Sequence, residues 1–262
     1  MDFITGETIC VDKPLGWTSF DVVKRLRGAL LRRLRMKKLK VGHAGTLDPL
    51  ATGVMIVTTG GNTRLIDSLQ TGVKEYVADI ALGATTPSFD LETEIDATYP
   101  TDHITRAAVE AALESFTGEI RQVPPAFSAC KIDGKRAYSL ARKGHEVELK
   151  AKTLVIDEME LLEFSPKQIR VRIVCGKGTY IRALARDLGA ALGSGAHLTG
   201  LRRTRVGEVS IDSCLSVDEA VDLIRSASLT FPEGHPAALT ALPPMPARQH
   251  DDENKENQID EQ

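Results

Sequence analysis

Residues 40–59 constrain this chain more than any other stretch. They read Lys-Val-Gly-His-Ala-Gly-Thr-Leu-Asp-Pro-Leu-Ala-Thr-Gly-Val-Met-Ile-Val-Thr-Thr. The apolar run Val54 to Val57 has the length and composition of a buried strand. The loop before it carries Gly42, Gly45, Gly53 and one carboxylate, Asp48. Glycine at this density lets backbone pass where a side chain would clash, or take positive φ. Pro49 pushes Asp48 toward extended backbone and away from a helix interior. The pattern therefore predicts a carboxylate on a loop held by a rigid strand, a common address for functional groups. Taken alone, an Asp-Pro pair is better explained by a turn or a helix N-cap than by catalysis.

The chain has 262 residues, 42% of them hydrophobic, enough for one large domain or two small ones with a sizeable core. The net charge of −3 is unevenly spread. From Asp251 onward six acids face Lys255, a balance of −5, so residues 1–250 carry +2. A mildly basic body with clustered cations suits a polyanionic partner. Cys10, Cys130, Cys175 and Cys214 are far apart, with no C-x-x-C and no Cys/His pair at metal-ligand spacing. Neither disulfides nor a metal site is expected. The N-terminus lacks the basic and apolar segments of a secretory signal, and no apolar run approaches membrane length. The expectation is a reduced, cytoplasmic protein with no membrane association.

Residues 7–11 read as a short strand. Thr18 or Ser19 can cap a helix, with Asp21 placed for a capping box, and Val22, Val23, Leu26, Leu30, Leu31 and Leu34 recur at helical spacing. A short helix is expected at 62–70 and a strand at Lys74 to Leu82, then a polar loop from Thr85 to Pro100. An amphipathic helix is expected from an N-cap at Asp102 to Phe116. Thr153–Phe164 and Gln168–Cys175 read as consecutive strands. In the second, Arg170 and Arg172 alternate with Val171 and Ile173, as in a sheet with one wet face. A helix follows Gly178, and another is expected at Val217–Ser226. Five prolines between 231 and 250, then the acidic residues, give linker or disorder composition. The folded unit is set at 1–228 and the tail at 229–262.

Nine bases and no acid lie between Lys24 and Lys40. Such a run is either a solvated face or a set of phosphate contacts, which position RNA without reading its sequence. A second basic segment, Gln122 to Tyr138 with Lys131, Lys135 and Arg136, followed by Arg142 and Lys143, reads as an exposed insertion or as an ordinary hairpin with a short helix.

Four strings resemble the TruB family of tRNA pseudouridine synthases. They are Gly42-His43-Ala44-Gly45-Thr46-Leu47-Asp48-Pro49-Leu50-Ala51-Thr52-Gly53, the Lys-Pro-x-Gly-x-Thr-Ser at 13–19, the Gly-Thr-Tyr-Ile-Arg-x-Leu-x-x-Asp-Leu-Gly at 178–189, and 197–207. The resemblance spans roughly residues 7–226. It implies an α+β catalytic domain with a long, mainly antiparallel mixed sheet flanked by helices, the basic insertion gripping RNA. It implies that Asp48 is catalytic and pairs with Arg182, and that Tyr76 stacks on the target base. Tyr180 and Leu201 would line the base pocket, and His43 would stack where the flipped base leaves. The implied reaction isomerises the T-loop uridine of tRNA, with no cofactor and no metal, in a monomer that binds the T-arm. The small RNA-binding PUA domain that many members of that family carry is not expected after residue 226. A non-catalytic RNA-binding or RNA-folding protein on the same scaffold is the alternative, and a guide-RNA-dependent enzyme of the dyskerin type is a second. Nucleophilic and base roles for Asp48 both stay open.

Overall fold

The computed structural model describes residues 1–127 and 149–245, and of residues 131–132 and 135–136 the backbone alone. The side chains expected to make the basic insertion (Lys131, Lys135, Arg136, Arg142, Lys143), Cys130, and the acidic residues from Asp251 onward lie outside the described residues.

The elements run β1 (Thr8–Lys13), α1 (Ser19–Leu34), β2 (Val41–Ala44), β3 (Ala51–Thr59), a 3-10 turn (Gly60–Leu65) into α2 (Ile66–Leu69), and β4 (Lys74–Leu82). A two-residue hairpin follows, β5 (Ala84–Thr85) with β6 (Ala97–Thr98), then α3 (Arg106–Ser115), β7 (Gly118–Gln122), β8 (Lys131–Ile132) and β9 (Lys135–Arg136). The chain continues with β10 (Lys152–Ser165), β11 (Gln168–Cys175), α4 (Ile181–Ala191), β12 (Ala196–Val206), β13 (Val209–Ser210), α5 (Val217–Ser226) and α6 (Ala237–Thr240). Thr18 caps α1 through the expected box, its hydroxyl on the Asp21 N–H and the Asp21 carboxylate on the Thr18 N–H. Helix α3 starts later than its composition suggests. Its cap is Thr105, whose hydroxyl accepts from the Ala108 N–H, and Asp102 stands upstream.

Nine strands make one sheet in the order β1-β3-β12-β4-β11-β10-β7, with β2 beside β3 and β13 beside β12. Among the described residues every pairing in it is antiparallel except β3 with β12. That joint is short, Leu201 to Arg203 against Ala51 to Gly53. It exists because Gly53 has no side chain. Its φ is +108°, and a Cβ there would stand 2.1 Å from the Arg203 carbonyl oxygen. β3 is therefore shared, with β1 along one edge and β2 and β12 dividing the other.

Helices α1 and α5 cover the β1–β3 end, burying Leu26, Leu30, Val57, Val221 and Ile224. Helices α3 and α4 cover β4, β11 and β10 over Ile80, Val109, Val171, Ile173 and Leu184. The alternation expected in β11 is present, with Arg170 and Arg172 on the wet face. Arg172 bonds Glu158 and Glu160 of β10 and Glu75 of β4. Half-exposed pairs of this kind contribute little each, but they favour one strand register, since a one-residue slip would turn the arginines into the core.

Residues 229–245, whose prolines read as linker, lie along α1 and α5. Leu229 and Phe231 pack on that core and Ala237 is buried. The Leu242 N–H donates to the Arg33 carbonyl (2.9 Å) and the Met245 N–H to the Arg225 carbonyl (3.0 Å). Arg33 itself is buried and donates to the Arg225 and Ala227 carbonyls. One cation of the basic run thus serves the fold. Arg27 is another, donating to the Val41 carbonyl, whereas Lys24, Arg25, Arg32, Lys37 and Lys38 are exposed.

Candidate active site

Asp48 sits in the loop between β2 and β3, and three groups from the first 19 residues hold that loop. Ser19, buried in the first turn of α1, accepts from the Leu47 N–H (2.9 Å) and donates to the Leu47 carbonyl (3.0 Å). The Gly16 N–H donates to the Pro49 carbonyl. Lys13 is fully buried, and its ammonium donates to the carbonyls of Pro14, Trp17 and Pro49. Burial lowers its pKa to about 8, against the pull of the Asp48 charge. The Lys-Pro-x-Gly-x-Thr-Ser string is thus the bracket for the aspartate loop, a role that its composition alone does not reveal.

Arg182, the second residue of α4, faces Asp48 and is 5% exposed. Its Nε lies 2.9 Å from Asp48 Oδ2 and 3.6 Å from Asp90 Oδ2. Nη1 donates to the Ser88 carbonyl (3.1 Å) and Nη2 to the Phe127 carbonyl (2.7 Å). A planar guanidinium can meet partners on three sides at once; an ammonium cannot. Desolvation raises the Asp48 pKa, opposed by Arg182 and reinforced by the charges of Asp90 and Glu92. The open 44% of the Asp48 side chain lies beside the cavity, and protein on its other sides desolvates the carboxylate.

That cavity is about 290 Å³, the lower end for small-ligand sites. Asp48 and Arg182 lie in its wall with Tyr76, Tyr180, Leu201, Lys74 and Arg203. Tyr76 comes from β4 and is 9% exposed; burial raises its pKa, and the nearby Arg203 charge partly offsets that. Tyr180 is the N-cap of α4, and Leu201 comes from β12 beside Ala51. Five of the six residues singled out from the sequence therefore converge. His43 stands apart, half-buried on β2 and outside the lining of this cavity. Burial lowers its pKa, and the nearby Arg203 charge lowers it further.

Three further residues carry the geometry without a distinguishing signal in the sequence. Asp90 is a second buried carboxylate on the Arg182 guanidinium, drawn from a polar stretch that reads only as loop. Arg203, 2% exposed, donates to the carbonyls of Val54 (2.8 Å) and Gly45 (3.1 Å) beneath Tyr76. Gln122, 1% exposed, accepts from the Tyr180 N–H (2.9 Å) and donates to the Tyr180 carbonyl (3.2 Å).

A cavity of small-ligand size with an arginine-paired carboxylate in its wall, framed by a mixed sheet, fits an enzyme that works on a small enclosed group. Comparison with known proteins makes the class specific. Residues 32–181 match the model of the TruB family pseudouridylate synthase N-terminal domain, and 182–236 that of the tRNA pseudouridylate synthase B C-terminal domain. The chain belongs to the TruB family. It is 66% identical over 224 residues to tRNA pseudouridine synthase B of Parabacteroides distasonis, covering 86% of this chain and 95% of that one. It is 68% identical to the Bacteroides fragilis protein of the same name (82% and 92% covered) and 46% identical to that of Flavobacterium johnsoniae (82% and 95%). Among solved structures, it is similar to a chain of an archaeal box H/ACA sRNP Nop10–Cbf5 complex, with TM-score 0.61, 28% identity and 85% of this chain covered. A chain of a Cbf5–Nop10–Gar1 complex gives TM-score 0.63, 30% identity and 85%. This chain spans 55% of the length of each of those two.

Proposed function

We propose that this chain is a tRNA pseudouridine synthase that isomerises the T-loop uridine, with Asp48 as the catalytic carboxylate. The observation that carries the reading is the pairing of Asp48 with the buried Arg182 guanidinium in the wall of the tyrosine-lined cavity. Pseudouridine formation breaks the bond from uracil N1 to ribose C1′ and joins C1′ to uracil C5. The base that leaves is the base that returns, so no external group enters. A carboxylate near C1′ or C6 serves as nucleophile or base, and Arg182 keeps it aimed and favours its ionised form. A uridine in folded RNA must leave its stack, which costs a few kcal/mol; stacking on Tyr76 returns about 1–3 kcal/mol. Tyr180 and Leu201 would enclose the detached uracil, and His43 would fill the vacated stack. Exposed cations of α1 supply contacts for tRNA phosphates, with the T-arm as the bound element. In this reading the protein works as a cytoplasmic monomer. Among the described residues no helix is long and apolar enough to cross a membrane.

The test is to incubate the protein with an unmodified tRNA transcript and map pseudouridine chemically. Asp48→Asn keeps size and hydrogen bonding but removes charge and nucleophile. Its rate is expected to fall at least ~10³-fold, about 4 kcal/mol in the barrier, with RNA binding retained. A transcript bound and left unmodified by the unaltered protein would favour the non-catalytic RNA-binding alternative instead.

A further inference from the structure

Gln122 ends β7 at the point where the chain leaves the sheet; across the register lies Lys152, where β10 begins. The basic insertion is thus rooted between these two residues. Its first residues are stitched to α4 by three links. The Gln122 amide clamps the Tyr180 backbone on both sides, N–H and carbonyl. One turn apart on α4, Arg182 donates to the Phe127 carbonyl and Arg186 to the Val123 carbonyl (3.1 Å). Gln122 is the buried member of the set that bonds to the residue just before the helix carrying Arg182. The N-cap residue Tyr180 does not cap α4 with its own side chain, and the Gln122 amide holds its backbone from outside the helix. A primary amide donates and accepts from a single planar end without depending on protonation.

We propose that Gln122 is a positioning residue: its amide clamp on Tyr180 sets the start of α4, and so holds the Arg182 guanidinium on Asp48 while joining the root of the insertion to the active site. The inference rests on the reading of Asp48 and Arg182 as the reaction centre. Gln122 is buried and lies outside the lining of the cavity that holds Asp48 and Arg182. Its removal would let the start of α4 shift, and displacement of a reacting group by an ångström is costly in rate.

The experiment compares Gln122→Met and Gln122→Glu with the unaltered protein on unmodified tRNA. It measures single-turnover rate at saturating enzyme, a separate binding titration, and folded fraction by circular dichroism. Gln122→Met keeps the shape and loses both bonds. Its rate is expected to fall about 10- to 100-fold, as for a misplaced catalytic group, with RNA affinity within about threefold, under ~1 kcal/mol. Gln122→Glu accepts from the Tyr180 N–H when ionised and regains the donor when protonated. Its rate relative to the unaltered protein at the same pH should therefore rise as pH falls, since effects common to both cancel. The corresponding ratio for Gln122→Met should stay flat. Gln122→Met turning over at the normal rate would overturn the proposal, as would a deficit that lies wholly in affinity or folded fraction, or a flat Gln122→Glu ratio. If Gln122→Met fails to fold, the Gln122→Glu ratio decides alone. Absence of pseudouridine with the unaltered protein would instead overturn the reading on which the proposal rests.

Discussion

Arg182 is the residue where geometry and charge separate most cleanly. Its guanidinium meets Asp48, the Ser88 carbonyl and the Phe127 carbonyl on different edges. Arg182→Lys keeps the charge and loses the fork. Removing one partner's geometry also leaves buried groups uncompensated. The single-turnover rate is expected to fall at least ~10²-fold, about 2.7 kcal/mol, with affinity changed less than about tenfold. A lysine variant that reacts normally but binds poorly would move Arg182 to the RNA-backbone contacts. Asp48 supplies a pH test. Desolvation raises its pKa despite Arg182, and Asp90 raises it further. In the proposed role Asp48 reacts as the carboxylate, so the rate should fall as pH drops through a value above the ordinary 3.8. Asp90→Asn removes one of the raising charges, and the acid limb should move to lower pH. The plateau rate should drop too, because Arg182 loses its partner at 3.6 Å. An acid limb that does not move would mean that Asp90 does not sense the Asp48 charge.

At the scale of elements, the joint of β3 with β12 decides where the site forms. It brings Leu201 and Arg203 of β12 beside the strand that follows Asp48. Gly53→Ala asks a side chain to adopt φ +108° and to enter the space of the Arg203 carbonyl. Left-handed strain costs about 1–3 kcal/mol before any clash. The variant is expected to lose at least ~2 kcal/mol in urea unfolding, with the midpoint lowered and the slope kept. An unchanged midpoint would show that the joint relaxes without cost.

For the whole molecule, the question is where the folded unit ends. We propose that it runs to Met245, since residues 229–245 cover α1 and α5 through Leu229, Phe231 and Ala237 and through bonds to Arg33 and Arg225. A chain ending after Met245 is expected to fold and to modify tRNA, binding RNA slightly more tightly once the acidic residues are gone. A chain ending after Ser228 exposes that core and should lose roughly 2–3 kcal/mol, on the scale of one large apolar side chain uncovered. Equal melting points for the two would restore the boundary to 228.

Much of this was legible because it depends on local chemistry. The Thr18–Asp21 capping box, the alternation in β11 and helix α5 follow from spacing along the chain, and the chain folds them as written. The Asp48 string carries its own glycines and proline, so a loop entering a buried strand was readable at once. The partners of that loop were not. Lys13 and Ser19 of one string and Arg203 of β12 bond the loop itself, while Asp90 and Gln122 act on it through Arg182 and Tyr180; no periodicity links these segments, which meet only in the folded chain. The prolines of 229–245 likewise tell how the backbone bends and not what it covers; the buried guanidinium of Arg33 decides that. Sequence determined which chemistry the chain holds, because side-chain types and their local spacing set it. Tertiary structure decided which groups share the cavity, because long-range strand pairing and burial put them within hydrogen-bonding distance.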